Sequence, residues 1–331
     1  MASHIGRRKF LATLLGGAAV AWPLAARAQQ APMPVIGFLS SRSPSESTGV
    51  VAAFRQGLGE MGFVEGRNLA IAFRWAEGNY DRLPALAAEL VGLPVTLLFA
   101  AGGPPAAFAA KAATSTIPIV FSAVGDPVEL GLVPSLNKPG GNITGMAVFA
   151  SALGAKRIEL AKELIPSISV VSYLLNPSHP RFKIEPTAGL STARALGIEL
   201  RVINASSETE LDLSFTSLKH GVDVLIVAAD PFFDSQRERI VALATRHGVA
   251  ALYAWREYVL AGGLMSYGTD LPDSYRQAAT YAGRILKGEN AANLPVMQPT
   301  KFQLAVNLKT ARALGLIVPP TLLARADEVI E

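Results

Sequence analysis

The chain has 331 residues, half of them hydrophobic, enough for one large or two medium domains with a substantial core. Its formal charge of +4 belongs to the N-terminus: four of the 30 basic residues lie in the first 28, which hold no Asp or Glu, and the others balance the 26 acidic residues. A neutral remainder argues against a nucleic-acid surface, and the lack of cysteine excludes disulfides, thiol chemistry and a lipid-modified cysteine.

The first segment in chain order is GRRKFLATLLGGAAVAWPLAARAQQ. A basic start, an apolar stretch from Phe10 to Trp22 and Ala26-Arg27-Ala28 before Gln29 have the anatomy of a signal peptide over residues 1–28. The adjacent Arg7 and Arg8 followed by Lys-Phe-Leu resemble a twin-arginine signal, with Gly6 and Ala12 departing from the pattern. An ordinary secretory signal that carries two arginines is the alternative. No later run approaches the roughly 18 apolar residues of a membrane span, so removal of the leader is expected to give a periplasmic protein without a span.

Beyond the leader, apolar runs of strand length alternate with segments of helical spacing. Strands are predicted at Val35–Ser41, Leu69–Ala76, Val95–Ala101, Ile117–Ala123, Val170–Asn176, Glu199–Ile203, Val222–Ala229 and Ala250–Trp255. Helical spacing marks Val50–Met61, Arg82–Val91, Pro105–Ala113, Arg157–Leu164, Ala188–Leu196 and Gln236–Arg246, and resumes at Val128 after Gly125-Asp126-Pro127. Strands apolar on both faces and alternating with helices predict an α/β fold of doubly wound parallel sheets. About nine strands suit one wide sheet or two smaller ones. The breaker Pro139-Gly140-Gly141 favours two, because Asn137–Phe149 then reads as a crossing between domains. Further crossings are expected in Ala261–Thr269 and near Met297–Lys301. This gives a first domain of 33–146 plus 269–297 and a second of 147–268 plus 298–331, joined by three crossings around a cleft.

Ligands of open parallel sheets bind beyond the carboxyl ends of the strands. Those ends carry Ser40, Ser41 and Arg42, then Gly102 and Gly103, then Ser122 through Asp126, then Asn176 and Asp230. Hydroxyls, amides and two carboxylates suit a small polar molecule, and Tyr253 and Tyr267 are among the aromatics able to cover an apolar part of it. Each Asx-Pro pair also fits a helix N-cap followed by proline at the first helical position, so capping competes with binding at Asp126, Asn176 and Asp230. The amides of Gly102 and Gly103, ahead of Pro104 and a helix, suit an anion, though a tight turn explains the glycines equally well.

Catalytic and cofactor signatures are weak. Gly263-Leu264-Met265-Ser266-Tyr267-Gly268 has the wrong spacing for a nucleophile elbow, and no P-loop, G-x-G-x-x-G or H-x-x-x-H is present. His220-Gly221 and His247-Gly248 read as helix C-terminal positions, and His179 has no second ligand nearby. No metal and no cofactor are expected.

The leader, MPVIGFLSSRSP, FRWAEGNYDRLPALAAEL, IPIVFSAVGDPVELGLV, NKPGGNITG, LGAKRIELAKELIP, LPVMQPTKFQLAVNLKTARALGL and PPTLLARADEVIE together resemble ABC-transporter substrate-binding proteins along nearly the whole chain. The resemblance implies a type I periplasmic binding protein fold, with a solute such as an amino acid or an aromatic or carboxylic acid held in the cleft. It also implies an inner-membrane ABC permease and its ATPase as partners. By that resemblance Ser41, Gly102 and the Ser122–Asp126 segment are contacts of the first domain, and Asn176, Asp230 and Tyr267 those of the second. Asp126 or Asp230 would pair with a ligand ammonium. The expected protein is a monomeric, non-enzymatic receptor; a ligand-sensing module for a membrane signalling partner, or a secreted hydrolase using cleft carboxylates, are the alternatives.

Overall fold

The computed structural model describes residues 33–148, 150–218 and 223–331. The leader and His220 lie outside the described residues. The first half runs β1 (Val35–Ser40), α1 (Thr48–Glu60), β2 (Ala70–Trp75), α2 (Leu83–Val91), β3 (Leu97–Ala101), α3 (Pro104–Ala113), β4 (Ile119–Val124) and β5 (Ile143–Ala147). There follow α4 (Ala150–Leu164), β6 (Val170–Leu175), α5 (Glu185–Ala195), β7 (Glu199–Asn204), α6 (Glu208–Thr216), β8 (Asp223–Val227), α7 (Pro231–Ser235), α8 (Arg237–Arg246), β9 (Ala250–Tyr253), α9 (Arg256–Leu260) and β10 (Met265–Thr269). The last part is α10 (Leu271–Leu286), β11 (Phe302–Asn307), α11 (Leu308–Ala313), α12 (Pro320–Leu323) and β12 (Glu328–Ile330).

The strands form two sheets, ordered β2-β1-β3-β4-β5 and β12-β11-β10-β9-β8-β6-β7. The first five strands of each half therefore share one order, since β7-β6-β8-β9-β10 repeats β2-β1-β3-β4-β5. The continuous apolar runs are explained by cover on both faces. In the first domain Gly37 and Leu98 lie under Leu90 of α2, while the adjacent Phe38 and Phe99 meet Phe54 of α1, with ring centroids 5.2 Å and 4.3 Å from it. Successive strand residues point to opposite faces, so an alternating pattern would have exposed one of them.

The chain passes between domains where glycines and prolines interrupt the pattern. After β10, Asp270 caps α10 by accepting from the Asp273 amide at 2.9 Å. The helix then packs on α1 and on β3, β4 and β5 of the first domain. The approach to α1 is close: a Cβ at Gly57 would sit 2.1 Å from the Arg276 carbonyl oxygen. Met297 still bonds the first sheet, donating to the Gly145 carbonyl at 2.9 Å, and the chain then enters β11.

Three expectations are corrected. Asn137–Phe149, read as a crossing, contains β5, which pairs Ile119 with Ile143 and forms an edge of the first sheet, so the passage begins only beyond Ala147. The spacing from Val128 yields turns and no helix, because Gly131 adopts φ 69° and ends the first turn. The second sheet is not wholly parallel: β11 returns from the first domain and runs antiparallel to β10.

Candidate functional site

In each domain the strand order reverses beside the first strand, between β1 and β3 and between β6 and β8. Crevices at the carboxyl ends of strands form at such reversals, and the two crevices face one another. The wall of the first domain is Ser40, Ser41 and Arg42 after β1, Gly102 and Gly103 after β3, and Ser122 to Gly125 at the end of β4. Gly102 and Gly103 have φ of 80° and 89°, a region open to glycine without strain. Ala123 has φ 59° at a register shift of β4, a strained conformation for a residue with a Cβ, and it lines the cleft. The opposite wall is Asn176 after β6, Asp230 with the start of α7 after β8, and Trp255 after β9.

Three contacts close the cleft. The Arg42 guanidinium of the first domain donates to Asp234 Oδ2 of the second, with both side chains nearly inaccessible. Tyr80 of the first domain donates its hydroxyl to Asp230 Oδ2 at 2.9 Å and accepts from the Phe232 amide at 3.2 Å. Arg181 of the second domain lies so close to Gly125 that a Cβ there would be 1.9 Å from Nη1. Around the first of these contacts, Asp234 Oδ1 accepts from the Tyr258 hydroxyl at 3.1 Å. Asp230 Oδ1 accepts from the Phe232 and Phe233 amides at 2.9 Å and 3.1 Å and from Asn176 Nδ2 at 3.2 Å.

The space left between Arg42, Gly102, Gly125, Arg181, Asp234 and Trp255 is about 20 Å³, about the room of one water. A solute therefore enters only when the domains part. Beside it, a polar groove of about 400 Å³ runs along the same seam between Glu77–Asp81 and the ends of β6 and α7.

Burial dominates the electrostatics. It pushes the Asp234 carboxyl up to about 7, against the pull of Arg42 and with help from Glu46 and Asp230. Burial works against the charge of Arg42, yet Asp234, Tyr275 and Glu46 together hold its guanidinium above the ordinary arginine range. The Tyr80 and Tyr258 hydroxyls are held protonated well above the usual range, by burial first and then by the carboxylates they bind. Several buried polar atoms have no hydrogen-bond partner in the protein: Arg42 Nε, Trp255 Nε1 and the hydroxyls of Ser41 and Ser122.

The structure gathers Ser40, Ser41, Gly102, Gly103, Ser122, Asn176 and Asp230 at the facing strand ends. Ser40 Oγ accepts from the Arg42 amide at 3.1 Å. The expectation that the Gly102 and Gly103 amides receive an anion is not met, because Gly102 donates to the Tyr275 hydroxyl at 2.8 Å and Gly103 to the Ser122 carbonyl at 3.2 Å. Three residues stand apart from that cluster. Asp126 Oδ1 accepts from the Val128 and Glu129 amides at 2.9 Å and 3.1 Å, and Gly125, not Asp126, lines the cavity. Tyr253 is buried against Tyr258, with centroids 4.6 Å apart, and lines a separate cavity of the second domain with Val241 and Gly263. Tyr267 stacks on Phe302 at 6.5 Å.

Tyr80, Arg181 and Asp234 are not foreseen from the sequence, Arg42 has no role there although it follows two chosen serines, and Tyr258, expected only as an aromatic cover, binds Asp234 through its hydroxyl. Asp234 was within reach, since it lies one helical turn beyond Asp230. Tyr80 and Arg181 sit in segments that only the facing of two domains brings to the site. Among the described residues no group of three or more His, Cys, Asp or Glu residues could hold a metal ion, and no helix is long and apolar enough to cross a membrane.

Known proteins share this architecture. A tyrosine-binding protein of Clostridioides difficile is 29% identical over 263 residues, covering 80% of this chain and 75% of that protein. A Streptococcus pneumonia domain solved in complex with L-Trp is 26% identical, covers 89% of this chain and 100% of that one, and superposes with a TM-score of 0.81. The ligand-free, open structure of a Clostridium difficile substrate-binding protein with adhesive properties is 27% identical, covers 90% of this chain and 99% of that one, and gives 0.65. The model of the ABC transporter substrate binding protein family matches residues 35–330, and the chain belongs to that family.

Proposed function

We infer that the chain is an exported receptor that closes on an α-amino acid, aromatic ones first, and presents it to an inner-membrane ABC permease and its ATPase. The observation that carries this reading is the closure itself. Contacts from both domains meet at the two strand-order reversals, in an arrangement like that of the relative bound to L-Trp. A tyrosine-binding relative supports the ligand class. Trp255 and the small apolar residues Ala123, Val148 and Ala229 form a wall suited to a hydrocarbon side chain.

Ligand that binds the closed form shifts the open–closed equilibrium toward it, and the permease distinguishes the two. The hinge is assigned to the three passages between the sheets, beyond Ala147, after Thr269 and after Met297, close to the domain limits of 33–146 plus 269–297 and 147–268 plus 298–331. The receptor works as a monomer, and the twin-arginine route would carry it across the membrane already folded.

A thermal-unfolding screen against the protein amino acids tests the reading. A ligand at a hundred times its dissociation constant stabilises the folded state by about 2.7 kcal/mol. L-tryptophan, L-tyrosine or L-phenylalanine is expected to raise Tm clearly above the response to glycine or L-lysine. No shift with any amino acid would overturn it.

A further inference from the structure

The cleft contains two carboxylates that differ in what holds them. Both oxygens of Asp230 are committed, to the Phe232 and Phe233 amides and Asn176 on one side and to Tyr80 on the other. Three of those four partners belong to the same domain as Asp230 and stay when the domains part. Asp234 keeps Tyr258 from its own domain, but its second oxygen is held by Arg42, which leaves with the first domain. Of the two carboxylates, Asp234 is therefore the one that loses a directly bound cation on opening.

The groups left without partners point the same way. Arg42 Nε and Trp255 Nε1 are buried, line the cavity and have no acceptor. Both can only donate. The buried hydroxyls of Ser41 and Ser122, also without partners, lie at the adjacent strand ends. A surplus of donors around a cation suits an anionic oxygen, and a planar guanidinium with a free Nε suits the two oxygens of a carboxylate.

We propose that the cleft recognises an α-amino acid by its two charges, Arg42 taking the carboxylate and Asp234 the ammonium. This assignment rests on the amino-acid receptor reading above. In the closed arrangement the cross-domain pair has the same two charges turned on each other, and a zwitterion enters by inserting between them. Its carboxylate satisfies Arg42 and reaches the free indole N–H; its ammonium, one carbon away, meets the carboxylate that Arg42 released. An analogue lacking either charge closes the cleft on a buried ion without its partner, which is strongly penalised.

Titration calorimetry with L-tryptophan, indole-3-propionate (no ammonium) and tryptamine (no carboxylate) tests the assignment on the wild-type protein, Asp234→Asn and Arg42→Gln. The wild type is expected to bind L-tryptophan about a hundredfold more tightly than either analogue. Asp234→Asn weakens L-tryptophan at least tenfold and shrinks its advantage over indole-3-propionate, while still rejecting tryptamine. Arg42→Gln shows the mirror image, shrinking the advantage over tryptamine alone. Circular dichroism establishes that each variant is folded. If one is not, the wild-type discrimination decides alone, since equal affinity for all three compounds overturns the proposal. Parallel loss of all three compounds in both variants also overturns it, leaving the pair as structural. A wild-type protein that binds neither L-tryptophan nor any other amino acid overturns the receptor reading itself, a result distinct from either.

Discussion

Asp126 and Asp230 each follow a parallel strand and precede a proline, yet they do different work. Asp126, half-buried, holds two amides of a turn that ends at Gly131. Asp230, 2% exposed, caps α7 and also binds Asn176 and, across the cleft, Tyr80. The local chemistry is the same in both, a carboxylate oxygen accepting amides two and three residues ahead. What differs is the strand. β8 flanks the strand-order reversal of its sheet, while β4 lies one strand beyond the reversal of the other. The dipeptide sets the cap, and the sheet order sets whether the cap faces a partner.

The largest consequence falls on Asp230. Asp230→Ala removes a helix cap worth about 1 kcal/mol and leaves buried donors of Asn176 and Tyr80 unmatched, at about 1–3 kcal/mol for each such group. A loss of about 3 kcal/mol is expected in urea unfolding. A cost equal to that of Asp126→Ala would erase the distinction between the two residues.

One turn further along, Asp234 makes the buried wall sensitive to pH. Its folded-state pKa, about 7, lies above that of an unfolded aspartate, so between the two the folded protein keeps a proton that the unfolded chain releases. The stability this confers is fully present below the unfolded pKa and is lost as pH rises through the folded one. The loss falls between the ordinary aspartate range and about pH 7. Asp234→Asn should remove that share of the slope in unfolding curves collected across the window. An unchanged slope would assign the pH dependence to other groups.

The fold was legible because it is written locally. Runs such as LLFAA and VVSYLL are buried throughout and became β3 and β6 with bounds close to those expected. β5 was not legible, because ITGMA is short and follows Pro139-Gly140-Gly141, and only pairing with β4 makes it a strand. The site was half legible. Strand-end residues such as Ser41, Gly102 and Asp230 are found from strand order and polarity alone. Their partners depend on how two domains face each other: Arg42 meets Asp234 across a separation of 192 residues, and Tyr80 meets Asp230 across 150. No periodicity spans such distances. Tyr253 failed for a related reason, because burial and polarity at a strand end do not reveal which side of the sheet the ring takes.

The residue before Asp126 lines the cavity although Asp126 does not. Gly125 lies against the Arg181 guanidinium, and a methyl group there would occupy its place. The neighbour is the end of a flexible side chain, so Gly125→Ala displaces it at modest cost, about 1 kcal/mol of the closed form. Ligand affinity is expected to fall about fivefold while urea unfolding changes little, because the clash exists only when the domains meet. An equal loss in both measurements would place the effect within one domain.

The smallest effect belongs to Asp126, and it separates capping from binding. Its Oδ1 accepts from the Val128 and Glu129 amides, a task that an asparagine oxygen performs about as well. Asp126→Asn should therefore leave stability within about 0.5 kcal/mol, and Asp126→Ala should cost about 1 kcal/mol. Both variants should bind L-tryptophan like the wild type, because Gly125 and not Asp126 lines the cavity. A drop in affinity in Asp126→Asn at unchanged stability would mean that the carboxylate acts on the ligand through its charge. Asp126 would then belong with Asp230, and strand order would no longer explain the difference between them.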